Sequence, residues 1–235
     1  MTLPLVLLPG MMCDARIWAP QIEELTRETL VTVAPVSKAD SVEAIAADLL
    51  PRLPADFVLA GHGLGGMVAM EMLRTAPARI SRLVLMDTSC QTEQPAVAAA
   101  REPKIISAQC GRLDHVLREE IQSEHYASGH ARLEIMQLML EMGLRHGPGA
   151  FVRQSRAMQR RPDQQATLRR AKTKTWVICG AQDAIYPPRR HEFIAHLMPN
   201  AELHVISGAG YLPMLEQPDA VTALLREVLG LPYLL

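Results

Sequence analysis

Apolar, β-prone runs bounded by Gly, Pro or Asp recur along the chain at Leu3 to Leu8, Leu30 to Ala34, Phe57 to Ala60, Arg82 to Met86, Thr175 to Cys179 and Leu203 to Ile206. Between them lie longer segments with i, i+3, i+4 apolar spacing, near Ile17 to Glu28, Val42 to Leu50, Leu64 to Thr75, Arg189 to Leu197 and Pro218 to Leu229. The first pattern predicts strands and the second amphipathic helices. Alternation of the two requires crossover connections, so the expected class is α/β, a mostly parallel sheet of about six strands with helices on both faces. Ligands of such sheets sit at the carboxyl ends of the strands.

The alternation breaks once. From Gln91 to about Ala171 there is no convincing strand, whereas "LDHVLREEIQ", "ARLEIMQLMLEMGL" and "GAFVRQSRAMQRR" each carry a helical apolar stripe. A helical insertion over the sheet follows, with residues 1–90 and 172–235 as the core and residues 91–171 as a cap. Gly147 to Gly149 reads as a helix stop, not a linker. At 235 residues the chain is long enough for one domain with a full core. Its 24 Lys+Arg nearly cancel 25 Asp+Glu, which leaves no overall field to recruit nucleic acid or an anionic membrane. Cys13, Cys90, Cys110 and Cys179 show no CxxC pair or metal spacing, so no disulfide, metal or cofactor is expected, and a reducing cytoplasm fits best. The opening "MTLPLVLLPG" lacks a basic start and a cleavage site and reads as a buried strand.

The chemistry centres on "FVLAGHGLGGMVAMEML", Phe57 to Leu73. A G-x-S-x-G frame places a nucleophile on a sharp strand-to-helix turn, and here the frame is Gly61-His62-Gly63-Leu64-Gly65 with Gly63 at its tip. Three more stretches fall in matching order: "LLPGMMCD" from Leu7, "VICGAQDAIYPP" from Val177 and "ISGAGYLPMLEQP" from Ile206. Together they resemble the α/β-hydrolase superfamily, in particular its small bacterial members, over nearly the whole chain. The resemblance implies the α/β-hydrolase fold with a helical cap, lacking the usual leading antiparallel strands because the oxyanion-loop strand begins almost at Leu3. It implies an oxyanion hole made by the backbone N–H groups of Met11 and Leu64, and it aligns Asp183 with the superfamily's acid. Tyr211 stands where G-x-G-H-x-P-x-x-E-x-P has histidine, so the order Ser, Asp, His reads Gly63, Asp183, Tyr211.

Removing a triad's nucleophile or base costs on the order of a million-fold in turnover, while oxyanion donors and binding alone leave about a thousand-fold over water. Acyl-enzyme hydrolysis is therefore not expected. A phenol of ordinary pKa is ionised in only about one molecule in a thousand at neutral pH, which suits Tyr211 to donating a proton or hydrogen bond. Glycine at an elbow tip relieves the strain of a positive φ. His62 is expected to point away from the attacking side, His204 to be half-buried, and Cys13 has no assignable base. Asp87, ending "LVLMD", is an alternative acid or a strand-end cap.

Met136, Met139, Leu140 and Gly143, with Met11, Met12 and Met67, read either as an adaptable apolar pocket or as core. Arg153, Arg156, Arg160, Arg161, Arg169, Arg170, Lys172 and Lys174 read as a solvated face or an anion-attracting strip, and His115, His125, His130 and His146 as surface residues. Two functions follow. One is non-covalent lyase-, isomerase- or cyclase-type chemistry, or slow hydrolysis, on a small carbonyl or ester-like compound, with Tyr211 oriented by Asp183. The other is an inactive hydrolase homologue that binds a small, mainly apolar acyl or carbonyl ligand or a protein partner.

Overall fold

The computed structural model describes residues 3–232. Strands β1 (Leu5–Leu8), β2 (Val31–Val33), β3 (Phe57–His62), β4 (Ile80–Met86), β5 (Lys174–Gly180) and β6 (Ala201–Ile206) form one sheet in the order β2-β1-β3-β4-β5-β6. Every neighbouring pair is parallel. All six predicted strands are present, and β1 and β3 are buried along their whole length. Burial on both faces is what makes a parallel strand read as an unbroken apolar run.

The helices are α1 (Ala19–Leu25), α2 (Val42–Leu49), α3 (Leu64–Thr75), α4 (Pro95–Gln109), α5 (Leu113–Glu120), α6 (Arg132–Arg160), α7 (Gln165–Arg170), α8 (Pro188–Leu197), α9 (Pro213–Glu216) and α10 (Pro218–Leu229). Successive strand residues feed opposite cores. Leu5 and Leu7 join Val221 and Leu225 of α10 on one face, while Val6 and Leu8 join Ile45 of α2, Val68 of α3 and Ile194 of α8 on the other. Ser41 caps α2, its hydroxyl accepting from the Ala44 amide at 3.1 Å.

Between β4 and β5 the chain is helical, and α4 to α7 form the cap. The expected helices around Leu113 and between Arg132 and Arg160 are present, the latter broken at Gly147, where φ 77° and ψ 173° interrupt the helical path. Helix α4 was not expected. Its Ala-rich sequence has little apolar periodicity and carries Pro103 internally. Cap and sheet meet in a third cluster, where Met12 packs with Ile105, Leu117 and Phe151. Among the described residues no helix is long and apolar enough to cross a membrane.

Candidate functional site

Gly63 joins β3 to α3 with φ 53° and ψ −116°, a conformation that costs a residue with a side chain about 1–3 kcal/mol. Its N–H donates to Met86 O at 3.0 Å, and its carbonyl accepts from the Thr88 hydroxyl at 2.7 Å. The flanking glycines serve close packing. A Cβ on Gly61 would lie 2.4 Å from Gly65 O, and one on Gly65 2.3 Å from Leu8 O, so the backbones of β1, β3 and α3 meet with no room between them.

The space beside Gly63 is filled by Tyr211. A Cβ built on Gly63 would stand 2.6 Å from the Tyr211 Oη and 3.6 Å from Gly10 Cα. The half-buried Tyr211 ring lies tilted on His62, with centroids 4.6 Å apart, and 6.1 Å from the Tyr186 ring. His62 is fully buried, and its Nε2 meets the Tyr211 carbonyl at 2.8 Å. A carbonyl only accepts, so Nε2 carries the proton. Burial pushes the His62 pKa down to about 4, which keeps the ring neutral. His62 thus braces the tyrosine loop.

That loop is fastened to the cap. Tyr211 N–H donates to His125 O at 2.8 Å. The Glu216 carboxylate accepts from the amides of Ala127 at 2.6 Å, Gly210 at 3.0 Å and Leu212 at 2.8 Å. Among the described residues the Tyr211 hydroxyl has no hydrogen-bond partner. Burial holds its pKa well above the usual phenol value, so it stays protonated at neutral pH.

The Met11 and Leu64 amides also have no protein acceptor among the described residues. The next amide, Met12, donates to Gln154 Oε1 at 2.8 Å with Met12 at φ 56°, which ties this loop to α6. Asp183 accepts from the amides of Ile185 at 2.8 Å and Tyr186 at 2.9 Å, all through Oδ1. No hydrogen bond joins it to Tyr211 among the described residues; its Oδ2 is buried without a partner, as is Asp87 Oδ2. Asp87 follows β4 at φ 42° and accepts from Gly180 N at 3.1 Å. Burial first, and then the charge of Asp183, push the Asp87 pKa well above its ordinary value, which favours the protonated carboxyl. Cys13 packs on Met139 Sδ at 3.7 Å, and burial pushes its thiol up to about 12, which leaves no thiolate.

A cavity of about 130 Å³ lies between cap and sheet, with Met11, Met12, Met139, Tyr186, Tyr211 and Arg101 on its wall. The methionine stripe therefore divides: Met11, Met12 and Met139 reach the cavity, while Met67 is core and Gly143 admits Leu117. Two cap histidines expected at the surface are engaged, His125 on the cavity wall and His146 through Nε2 to Cys13 O at 3.0 Å. Arg161 is not solvated either; it is buried against Glu93. Arg101 and Glu93 carried no local signal, because Glu93 meets Arg161 and Arg101 meets Met11 across 68 and 90 positions. Among the described residues no group of His, Cys, Asp and Glu is placed to hold a metal ion.

A sequence model of the alpha/beta hydrolase family matches residues 5–224, which span the whole sheet and the cap. The chain belongs to that family. A pimeloyl-(acyl-carrier protein) methyl ester esterase of Aromatoleum aromaticum is a relative of this hydrolase-family chain at 29% identity over 204 residues, covering 82% of this chain and 81% of the esterase. Among solved structures, a thermophilic esterase from Thermogutta terrifontis superposes with TM-score 0.87 at 28% identity, over 96% of this chain and 88% of that one. The enol-lactonase of Burkholderia xenovorans LB400 shares the fold, with TM-score 0.86 at 18% identity over 98% and 92% of the two chains.

Proposed function

We propose that this chain carries out non-covalent chemistry on a small carbonyl or ester-like compound, activating its carbonyl oxygen without forming an acyl-enzyme. In this reading Gly63 stands at the vacant nucleophile position and Tyr211 replaces the base, so the triad is degenerate. The observation that carries it is the Tyr211 hydroxyl, protonated, unpartnered and seated where a side chain on Gly63 would lie. The Met11 and Leu64 amides are the second and third free donors, and Leu64 opens α3, whose N-terminal dipole favours negative charge. Free donors of this kind suit an enolate or tetrahedral oxyanion, as in lyase, isomerase or cyclase chemistry or slow attack by water. Asp183 contributes by folding its own loop and by a negative charge that helps keep the phenol protonated. The esterase relatives support the substrate class.

A panel of small ketones, lactones and esters incubated with the protein and followed by NMR tests the reading. Turnover should fall about 100-fold or more in Tyr211→Phe, the loss typical of removing one oxyanion donor. Turnover unchanged in that variant, or a stable fluorophosphonate adduct on the unaltered chain by intact mass, would falsify it. A second reading, a ligand-binding homologue without turnover, is favoured by the burial of His62 and its pKa near 4, which make the imidazole touching Tyr211 a weak base closed off from a ligand. Ligands that raise the melting temperature yet are recovered unchanged identify it.

A further inference from the structure

Arg101 of α4 lies on the cavity wall beside Met11 and Tyr211. Its Nε and Nη2 hold Glu93 in a two-point grip at 2.8 and 2.9 Å, and Arg161 Nη1 reaches the same carboxylate at 2.8 Å. All three side chains are sheltered, at 16% exposure for Arg101, 7% for Arg161 and 3% for Glu93. One carboxylate therefore faces two guanidiniums. Glu120, also on the cavity wall, does not restore the balance, because Lys104 pairs with it. Arg101, Arg161 and Lys104 together exceed Glu93 and Glu120 by one positive charge. Guanidinium does not deprotonate in proteins, so within these pairs the surplus persists; the Asp183 carboxylate, which also acts on Tyr186, accepts from the Ile185 and Tyr186 amides and forms no ion pair with these cations.

The surplus has a direction. Arg101 Nη1 has only the Met11 thioether, at 3.9 Å, as a partner, and a thioether is a weak acceptor. A cation with unsatisfied donors on a largely apolar wall costs free energy that a bound anion offsets. The cavity volume of about 130 Å³ resembles the roughly 150 Å³ engineered cavity that holds benzene in another protein, so the ligand is small. Met11, whose thioether Arg101 Nη1 meets, also supplies one of the free amides.

We infer that Arg101 is the anion-binding group of this cavity and that its ligand is a small carboxylate carrying a carbonyl, a keto acid or half ester whose carbonyl meets the Met11 and Leu64 amides. The carbonyl half rests on the reading given under Proposed function; the anion half does not. Titrations by NMR with 4-oxopentanoate, its neutral isostere 2,5-hexanedione and the carbonyl-free pentanoate separate the two. The unaltered protein should bind 4-oxopentanoate about tenfold or more tightly than the dione, the scale of one charge-assisted hydrogen bond. Arg101→Gln should erase that preference while leaving the dione unchanged, and Arg101→Lys should keep part of it. Glu93 keeps Arg161 in these variants, and the comparison of ligands on the unaltered protein decides the matter even if a variant does not fold. Equal affinity for 4-oxopentanoate and the dione, or a preference that survives Arg101→Gln, overturns the assignment. Pentanoate binding as tightly as 4-oxopentanoate sustains Arg101 but removes the carbonyl site.

Discussion

Placing a methyl group on Gly63 probes both features that make the elbow unusual. Gly63→Ala forces a side chain into φ 53°, for about 1–3 kcal/mol, and drives its Cβ to 2.6 Å from the Tyr211 hydroxyl. The tyrosine cannot simply swing away, because His62 underlies the ring and Glu216 holds the loop on both sides of it. Overpacking of this kind adds about 1–3 kcal/mol. A total near 4 kcal/mol corresponds to a fall of about 8–16 °C in Tm for a domain of this size. Tyr211→Phe removes the clashing oxygen but keeps the ring, whose Cζ stands 3.6 Å from the Cβ position, an ordinary contact. In that background only the conformational part of the cost should remain. A double-mutant cycle by urea denaturation should therefore return a coupling of about 1–3 kcal/mol between the two sites. Strictly additive costs would mean that the hydroxyl does not occupy that space, and a neutral Gly63→Ala would mean that the tip is not strained.

Two further outcomes concern protons. His62 and His191 are pushed down to about 4 from 6.5 by burial, so between those values the unfolded chain binds more protons and stability falls as pH drops through the window. Each ring contributes up to about 1.4 kcal/mol per pH unit, and nitrogen shifts should show both neutral at pH 5; imidazolium signals at pH 6 would refute the assignment. Asp87 behaves oppositely: its raised pKa makes the fold hold a proton that the unfolded chain releases above about 3.8, so its contribution is lost as pH rises. Asp87→Asn keeps the Gly180 bond and removes the carboxyl that must take up a proton on folding, so the variant should gain stability over the unaltered protein as pH rises from 5 to 8; an unchanged pH slope argues against the retained proton.

The sheet was legible because parallel strands covered on both faces, such as Phe57–His62, leave continuous apolar runs that local reading detects. Helix α4 was not, since Ala-rich segments such as Ala96 to Ala100 carry no stripe to find. The elbow and the Tyr211 loop announce themselves through spacing within a few residues. The Arg101, Glu93 and Arg161 cluster does not, because Arg161 meets Glu93 across 68 positions and only the folded cap brings them together. Arg161 read as one more solvated cation for the same reason, as did His125 among the surface histidines.

The Glu216 carboxylate accepts hydrogen bonds from the backbone amides on either side of Tyr211 and, with the same group, from Ala127 of the cap. Lid and phenol are therefore one mechanical unit. Any opening wide enough to admit a guest at that seam must carry the tyrosine outward with it, and closure returns the hydroxyl to Gly63 in the same stroke.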